Sequence, residues 1–204
     1  MDAYADFDKI DLFWEWFSAN EEQIKETLLG HSDQAKETLV QTLNNQVLSL
    51  GMFTWELGHG NSRPFYLTIS PNGSRELLAL SREIIAAAPQ LPDWELNHAK
   101  PAQVWDLKFT IYDEDYNERD VDASLWKFTL RQLAEKSITI LVEADNIPHL
   151  DEETKKMAVD QVVTGLLGEE QKILYVQKIE IFHTVERISS PIKQLKQKFE
   201  DLLD

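Results

Sequence analysis

The chain has 204 residues, of which 36 are acidic and 20 basic, and this composition gives a net charge of −16 at pH 7. Such a field repels phosphate backbones and anionic lipids, so we expect neither a nucleic acid nor a membrane as a partner. The absence of cysteine excludes disulfides, thiolate metal sites and cysteine nucleophiles, while 43% apolar residues indicate a folded globular protein.

The first part of the chain predicts an N-terminal helical hairpin over residues 8–50. Aspartates stand near the start, where a secretory signal peptide carries basic residues, so we expect a cytoplasmic protein. Residues 8–29 and 33–50 each place apolar residues at helical spacing. Gly30 suits the end of the first helix, and Ser32 suits the cap of the second.

The spacing of apolar residues along the sequence changes after the helical hairpin. Residues 53–57 alternate apolar and polar side chains, and residues 65–69 are aromatic or β-branched, so both segments predict strands. Residues 74–88 predict a helix, which Pro89 stops. Residues 94–98 alternate again as a third strand. The order is strand, strand, helix, strand.

The same order of elements recurs later in the chain. Residues 125–130 and 138–143 predict two strands, residues 151–167 predict a helix, and residues 173–183 predict a long strand. Ser190-Pro191 then suits the cap and first position of a last helix. Residue identities hardly match the earlier unit, so the repeat is one of architecture.

Together these patterns predict an α+β fold in a single domain over residues 1–204. An antiparallel sheet is built from two strand-strand-helix-strand halves, roughly residues 52–113 and 125–183. The N-terminal helical hairpin, residues 8–50, and a C-terminal helix, residues 190–203, pack on this sheet because each has one apolar side to bury.

Three segments resemble a group of bacterial proteins of unknown function: Phe13-Trp14-Glu15-Trp16-Phe17, Ala88-Pro89-Gln90-Leu91-Pro92-Asp93-Trp94 and Leu167-Gly168-Glu169. The resemblance is best over the first half and loose between Lys108 and Asp151. It implies a bacterial cytosolic origin. Because the motifs consist of aromatic and turn residues, it assigns no catalytic residue.

The first helix has more apolar surface than one stripe requires. Leu12 and Trp16 are four residues apart and lie roughly opposite the stripe that contains Phe13 and Phe17. In one interpretation another element of the chain covers them, as is usual for aromatic residues at helical spacing. In the other, they form a contact for another protein or for a second copy of the chain.

The most acidic segment is residues 113–122. Its first three potential ligands match a calcium-binding EF-hand loop, but Glu118 stands where the loop needs glycine and Ser124 where it needs a bidentate glutamate. We therefore expect a solvated loop between two strands, with no bound ion.

Three histidines each continue an alternating segment, namely His59, His98 and His183. If the three strand ends converged, the imidazoles would form a catalytic zinc site with an open fourth position. The sequence does not show that these ends meet. A histidine on an apolar face is more often a hydrogen-bonded residue at the rim of a core.

No local motif assigns a catalytic function. Gly58-His59-Gly60 lacks the third glycine of a dinucleotide-binding loop, and the chain has neither a phosphate loop nor a nucleophile elbow. Our first hypothesis is a non-enzymatic, acidic protein-binding or regulatory protein of a bacterial cytoplasm, without a cofactor, that uses Leu12 and Trp16. The alternative is an enzyme or metal-binding protein built on the strand-end histidines.

Overall fold

The computed structural model describes residues 6–132, 137–182 and 189–203. Within these ranges the chain forms helices and several small sheets, which confirms the predicted α+β class. The helices are α1 (Phe7–Ala19), α2 (Glu21–Leu29), α3 (Asp33–Leu50), α4 (Arg75–Ala86), α5 (Glu152–Leu167), α6 (Glu169–Tyr175) and α7 (Leu195–Leu203). The strands are β1 (Thr54–His59), β2 (Phe65–Ser70), β3 (Trp94–Asn97), β4 (Lys108–Tyr112), β5 (Glu118–Asp122), β6 (Lys127–Gln132), β7 (Ile138–Glu143), β8 (Val176–Ile181) and β9 (Ser190–Pro191).

The chain divides into two compact units, Met1–Lys100 and Pro101–Asp204. Each contains a strand-strand-helix-strand path, as predicted. The single domain over residues 1–204 stays a prediction.

The N-terminal region of the first unit contains three helices instead of the predicted two. The helix expected over residues 8–29 is broken at Asn20, whose side-chain amide donates a hydrogen bond to the Trp16 carbonyl oxygen at 2.7 Å. α2 begins immediately afterwards. Ser32 caps α3 as predicted, because its hydroxyl accepts a hydrogen bond from the Ala35 N–H at 3.3 Å.

The sheet of the first unit is mixed, which corrects the predicted antiparallel arrangement. β1 and β2 form an antiparallel hairpin that closes at the His59–Phe65 pair. β3 runs parallel to β2, from the Phe65–Trp94 pair to the Thr68–Asn97 pair. The reason is the connection, since a helical crossover such as α4 returns the chain in the same direction.

Aromatic side chains form the core of this unit. The ring centroid of Trp94 lies 5.0 Å from that of Phe17 and 5.3 Å from that of Phe65. Trp14 donates its indole N–H to the Ile84 carbonyl oxygen at 2.7 Å, which joins α1 to α4. α1 is therefore fixed in rotation, and its outward face is defined.

The second unit repeats the topology of the first. β6 and β7 form an antiparallel hairpin, and β8 pairs in parallel with β7. Here too the sheet is mixed, because α5 and α6 cross over between β7 and β8. The strand predicted over residues 173–183 is wrong at its start, since α6 extends to Tyr175. Lys172 on α6 pairs with Asp160 on α5 at 2.5 Å, which links the two helices.

The predicted C-terminal helix starts later than residue 190. Ser190 and Pro191 are extended and pair with β6, where Ser190 lies opposite Phe128. A proline is tolerated there because an edge strand needs no donor from it. The 3-10 turn Ile192–Gln194 follows, and α7 begins at Leu195.

A separate two-stranded sheet, β4 and β5, also belongs to the second unit. Its inner face carries the buried Val121 and the partly buried Phe109 and Ile111, which pack on the core of that unit. Its outer face and tip are polar and exposed.

Candidate functional site

The outward face of α1 carries an exposed leucine. Four apolar residues of this helix are at most 3% exposed, namely Ile10, Phe13, Trp14 and Phe17. Leu12, by contrast, is 63% exposed. The interpretation that the chain itself covers both Leu12 and Trp16 therefore does not hold for Leu12.

Trp16 lies one helical turn after Leu12 and is half-buried. Its ring centroid is 6.2 Å from that of Phe13 and 6.3 Å from that of Phe17, so one side of the indole rests on the core. Among the described residues, the indole N–H has no hydrogen-bond partner. Trp16 is thus held in place and keeps a donor available for a ligand or solvent.

Acidic side chains lie on the other side of Leu12 from Trp16. Asp8 and Glu15 are exposed and stand four residues before and three residues after Leu12, so they are its neighbours on the helix surface. Asp11 is exposed on the same side. These three carboxylates, here called the acidic stripe, form no ion pair with any described residue. The nearby Lys9 pairs instead with Asp6 at 3.3 Å.

A groove of about 430 Å³ lies between α2 and α3, and Trp16 of α1 forms part of its lining. The lining residues of this helical groove are Trp16, Asn20, Gln23, Ile24, Thr27, Ser32, Gln34, Ala35, Thr38, Leu39 and Thr42. None of these side chains is ionisable. Because 56 of the 204 residues are charged, about three charged residues are expected in a random set of eleven. The lining of the helical groove is therefore less charged than the average of the chain.

The polar side chains of the helical groove leave specific atoms open to a ligand. Thr27, Thr38 and Thr42 donate their hydroxyl protons to carbonyl oxygens of their own helices at 2.8–2.9 Å. Their oxygens therefore remain as acceptors. The side-chain amides of Gln23 and Gln34 have no partner among the described residues. They provide both donors and acceptors.

The helical groove is not predictable from the sequence alone. The available signal was a neutral polar stripe at helical spacing on each of two helices, Gln23 and Thr27 on one and Gln34, Thr38 and Thr42 on the other. Such a stripe shows that two helix faces are uncharged. It does not show that they face each other.

His59 and His98 are not brought together. β1 ends at His59, which is exposed and pairs with Phe65 at the start of β2. His98 follows Asn97, which pairs with Thr68 near the other end of β2. Because β1 and β3 run in opposite directions, their ends lie more than about 10 Å apart along the strands. His183 lies outside the described residues. Within the described ranges, no group of three His, Cys, Asp or Glu residues is placed to hold a metal ion.

The acidic segment is shorter as a loop than predicted, because residues 118–122 form β5. Asp113 organises the remaining loop: its carboxylate accepts hydrogen bonds from the Asn117 N–H at 2.8 Å and from Arg119 Nε at 2.8 Å. The Asn117 N–H, followed by Arg119, lowers the pKa of Asp113 from its ordinary value of 3.8. This carboxylate therefore bonds within the loop itself.

No described helix combines the length and apolar character needed to span a bilayer. The resemblance to bacterial proteins stays a prediction, and its aromatic residues other than the half-buried Trp16 lie in the core of the first unit. No protein family, curated protein or solved structure matches the chain.

Proposed function

We propose that this chain is a non-enzymatic, acidic protein-binding protein, and that α1 recognises a basic partner through Leu12, Trp16 and the acidic stripe. The observation that carries the proposal is the 63% exposure of Leu12 on a helix whose other face is closely packed. Exposed leucine and tryptophan side chains on a fixed helix are typical of interaction surfaces.

Charge supports a basic partner. Asp8, Asp11 and Glu15 flank Leu12, and no described cation neutralises them. The net charge of −16 would attract a positively charged protein over a distance and speed its association. The same charge underlies our expectation that the chain binds neither nucleic acid nor anionic membrane in a bacterial cytoplasm.

A defined peptide tests the proposal directly. The probe is a synthetic amphipathic helix with leucines on one face and lysines on the other, labelled for fluorescence anisotropy. We expect it to bind at about 0.1 M salt and to lose affinity at about 1 M salt, because the Debye length falls from about 10 Å to about 3 Å. Leu12→Ala should weaken binding about tenfold, the loss expected when a central apolar contact of about 1.4 kcal/mol is removed.

Matched variants distinguish binding at the surface of α1 from nonspecific attraction by the net charge of the chain. Leu125 is 82% exposed and belongs to the second unit, so Leu125→Ala controls for the loss of an exposed leucine. Glu37→Gln on α3 controls for Glu15→Gln, since both side chains are exposed. The proposal is contradicted if Leu125→Ala weakens peptide binding as much as Leu12→Ala does, and Glu37→Gln as much as Glu15→Gln does. If Leu12 instead contacts a second copy, sedimentation will show a concentration-dependent dimer that Leu12→Ala abolishes.

A further inference from the structure

The helical groove is uncharged and partly apolar, so it suits a different class of ligand from the acidic stripe. Its floor is apolar and includes Trp16, Ile24 and Leu39, and Ile24 is only 1% exposed. Its walls present hydroxyl and amide groups without any charge. A charged ligand would lose its hydration in the groove and find no counter-charge there, which is costly.

We propose that the helical groove binds a small, uncharged molecule with hydroxyl groups on an apolar ring, the chemistry of a neutral sugar. The volume of about 430 Å³ lies within the range of roughly 300–1,000 Å³ that is usual for small-molecule sites. A few placed polar groups around an apolar floor are also usual for such sites. The proposal does not depend on protein binding by α1.

Each part of the ligand has a counterpart in the helical groove. The indole of Trp16 offers an apolar surface and a donor N–H that no described residue uses. Gln23 of α2 and Gln34 of α3 both line the groove and offer amides that can donate to and accept from a hydroxyl group. The hydroxyl oxygens of Thr38 and Thr42 accept further hydrogen bonds, because their protons already point to the helix backbone.

Saturation-transfer NMR on the full chain tests this proposal. The neutral probes are glucose and maltose, and their charged counterparts are glucuronate and glucosamine. We expect transfer from the protein to the neutral sugars and much weaker transfer to both charged ones. Absence of transfer to glucose and maltose, or equal transfer to the charged sugars, would overturn the proposal.

Three variants of α3 locate the binding. Gln34→Ala removes one amide and should reduce the transfer, while Ala35→Phe fills the groove and should abolish it. Both positions are exposed, so neither change disturbs the core. Asn44→Ala removes an exposed amide elsewhere on the same helix and should leave the transfer unchanged. If Gln34→Ala and Ala35→Phe melt like the parent and bind like Asn44→Ala, the groove is not the site.

Discussion

Glu95 anchors the connection between β1 and β2. Its carboxylate accepts a hydrogen bond from the Arg63 N–H at 2.8 Å and another from the Ser62 N–H. The Arg63 guanidinium in turn donates to the Leu91 and Trp94 carbonyl oxygens at 3.1 and 3.0 Å. The β1–β2 loop is thus tied to β3, at the end of the sheet where β1 finishes at His59.

We expect Glu95 to stabilise the fold only in its ionised form. The Arg63 N–H, followed by the Ser62 N–H, lowers its pKa below the ordinary 4.5. Its contribution is therefore present above pH 4.5 and is lost as the pH falls through the folded-state pKa. Glu95→Gln should unfold at lower urea than the parent at pH 7, and the difference should vanish in acid. Glu114→Gln, which changes an exposed loop carboxylate, should show no such dependence.

Gly60 is required by the crowding around it. A Cβ atom at this position would lie 2.6 Å from the Arg63 carbonyl oxygen and 2.7 Å from Glu95 Oε1. Gly60→Asn should therefore lower the free energy of unfolding by about 1–3 kcal/mol, the usual cost of overpacking. Gly73→Asn is the matched control, because Gly73 has φ +75°, which asparagine tolerates, and open space around it. Equal urea midpoints for the two variants would contradict this account.

At the scale of elements, Lys25 fixes α2 to the turn before β3. Its ammonium group lies 2.6 Å from Glu21 and 2.7 Å from Asp93, and its side chain is only 13% exposed. The hydrogen bond to Asp93, followed by that to Glu21, raises the pKa of Lys25.

Replacing this lysine should loosen α2. We expect Lys25→Met to lower the free energy of unfolding by roughly 1–2 kcal/mol, after allowance for solvent screening. Amide hydrogen exchange should speed up in α2 before it does in α1. Lys156→Met is the control, because both side chains of the Lys156–Glu153 pair are 63% exposed and solvent screens their attraction, so its loss should have little effect. Uniform exchange changes along both helices would argue against a local role.

Periodicity predicted most elements but not their directions. The alternation at residues 94–98 identifies β3, yet nothing in an alternating pattern distinguishes parallel from antiparallel pairing, so the predicted antiparallel sheet is wrong and the distance between His59 and His98 could not be predicted. The break at Asn20 was missed because Ile24 continues the apolar stripe across it. Leu12 was recognised as surplus apolar surface because helical spacing is enough to place it. The helical groove depends on how two helices approach, which spacing alone does not determine.

At the scale of the whole molecule, the predicted single domain requires the two units to unfold together. Trp14 is buried in the first unit, and Trp126 is buried in the second, where its indole donates to Asn146 at 2.6 Å. With fluorine-labelled tryptophan, the resonances of these two residues should disappear at the same urea concentration. Two separate midpoints would show that Met1–Lys100 and Pro101–Asp204 are independent domains.

The charge of the whole chain should make its stability depend on salt in a way that changes with pH. At pH 7 the net charge of −16 disfavours the compact state through self-repulsion, so adding sodium chloride should raise the melting temperature. Near the isoelectric point of 4.7 the repulsion disappears, and so should this gain. Salt that acted by strengthening apolar burial would stabilise the protein equally at both pH values. Thermal melts at low and high salt, at pH 7 and near pH 4.7, therefore distinguish the two causes, and an equal gain would show that self-repulsion is unimportant here.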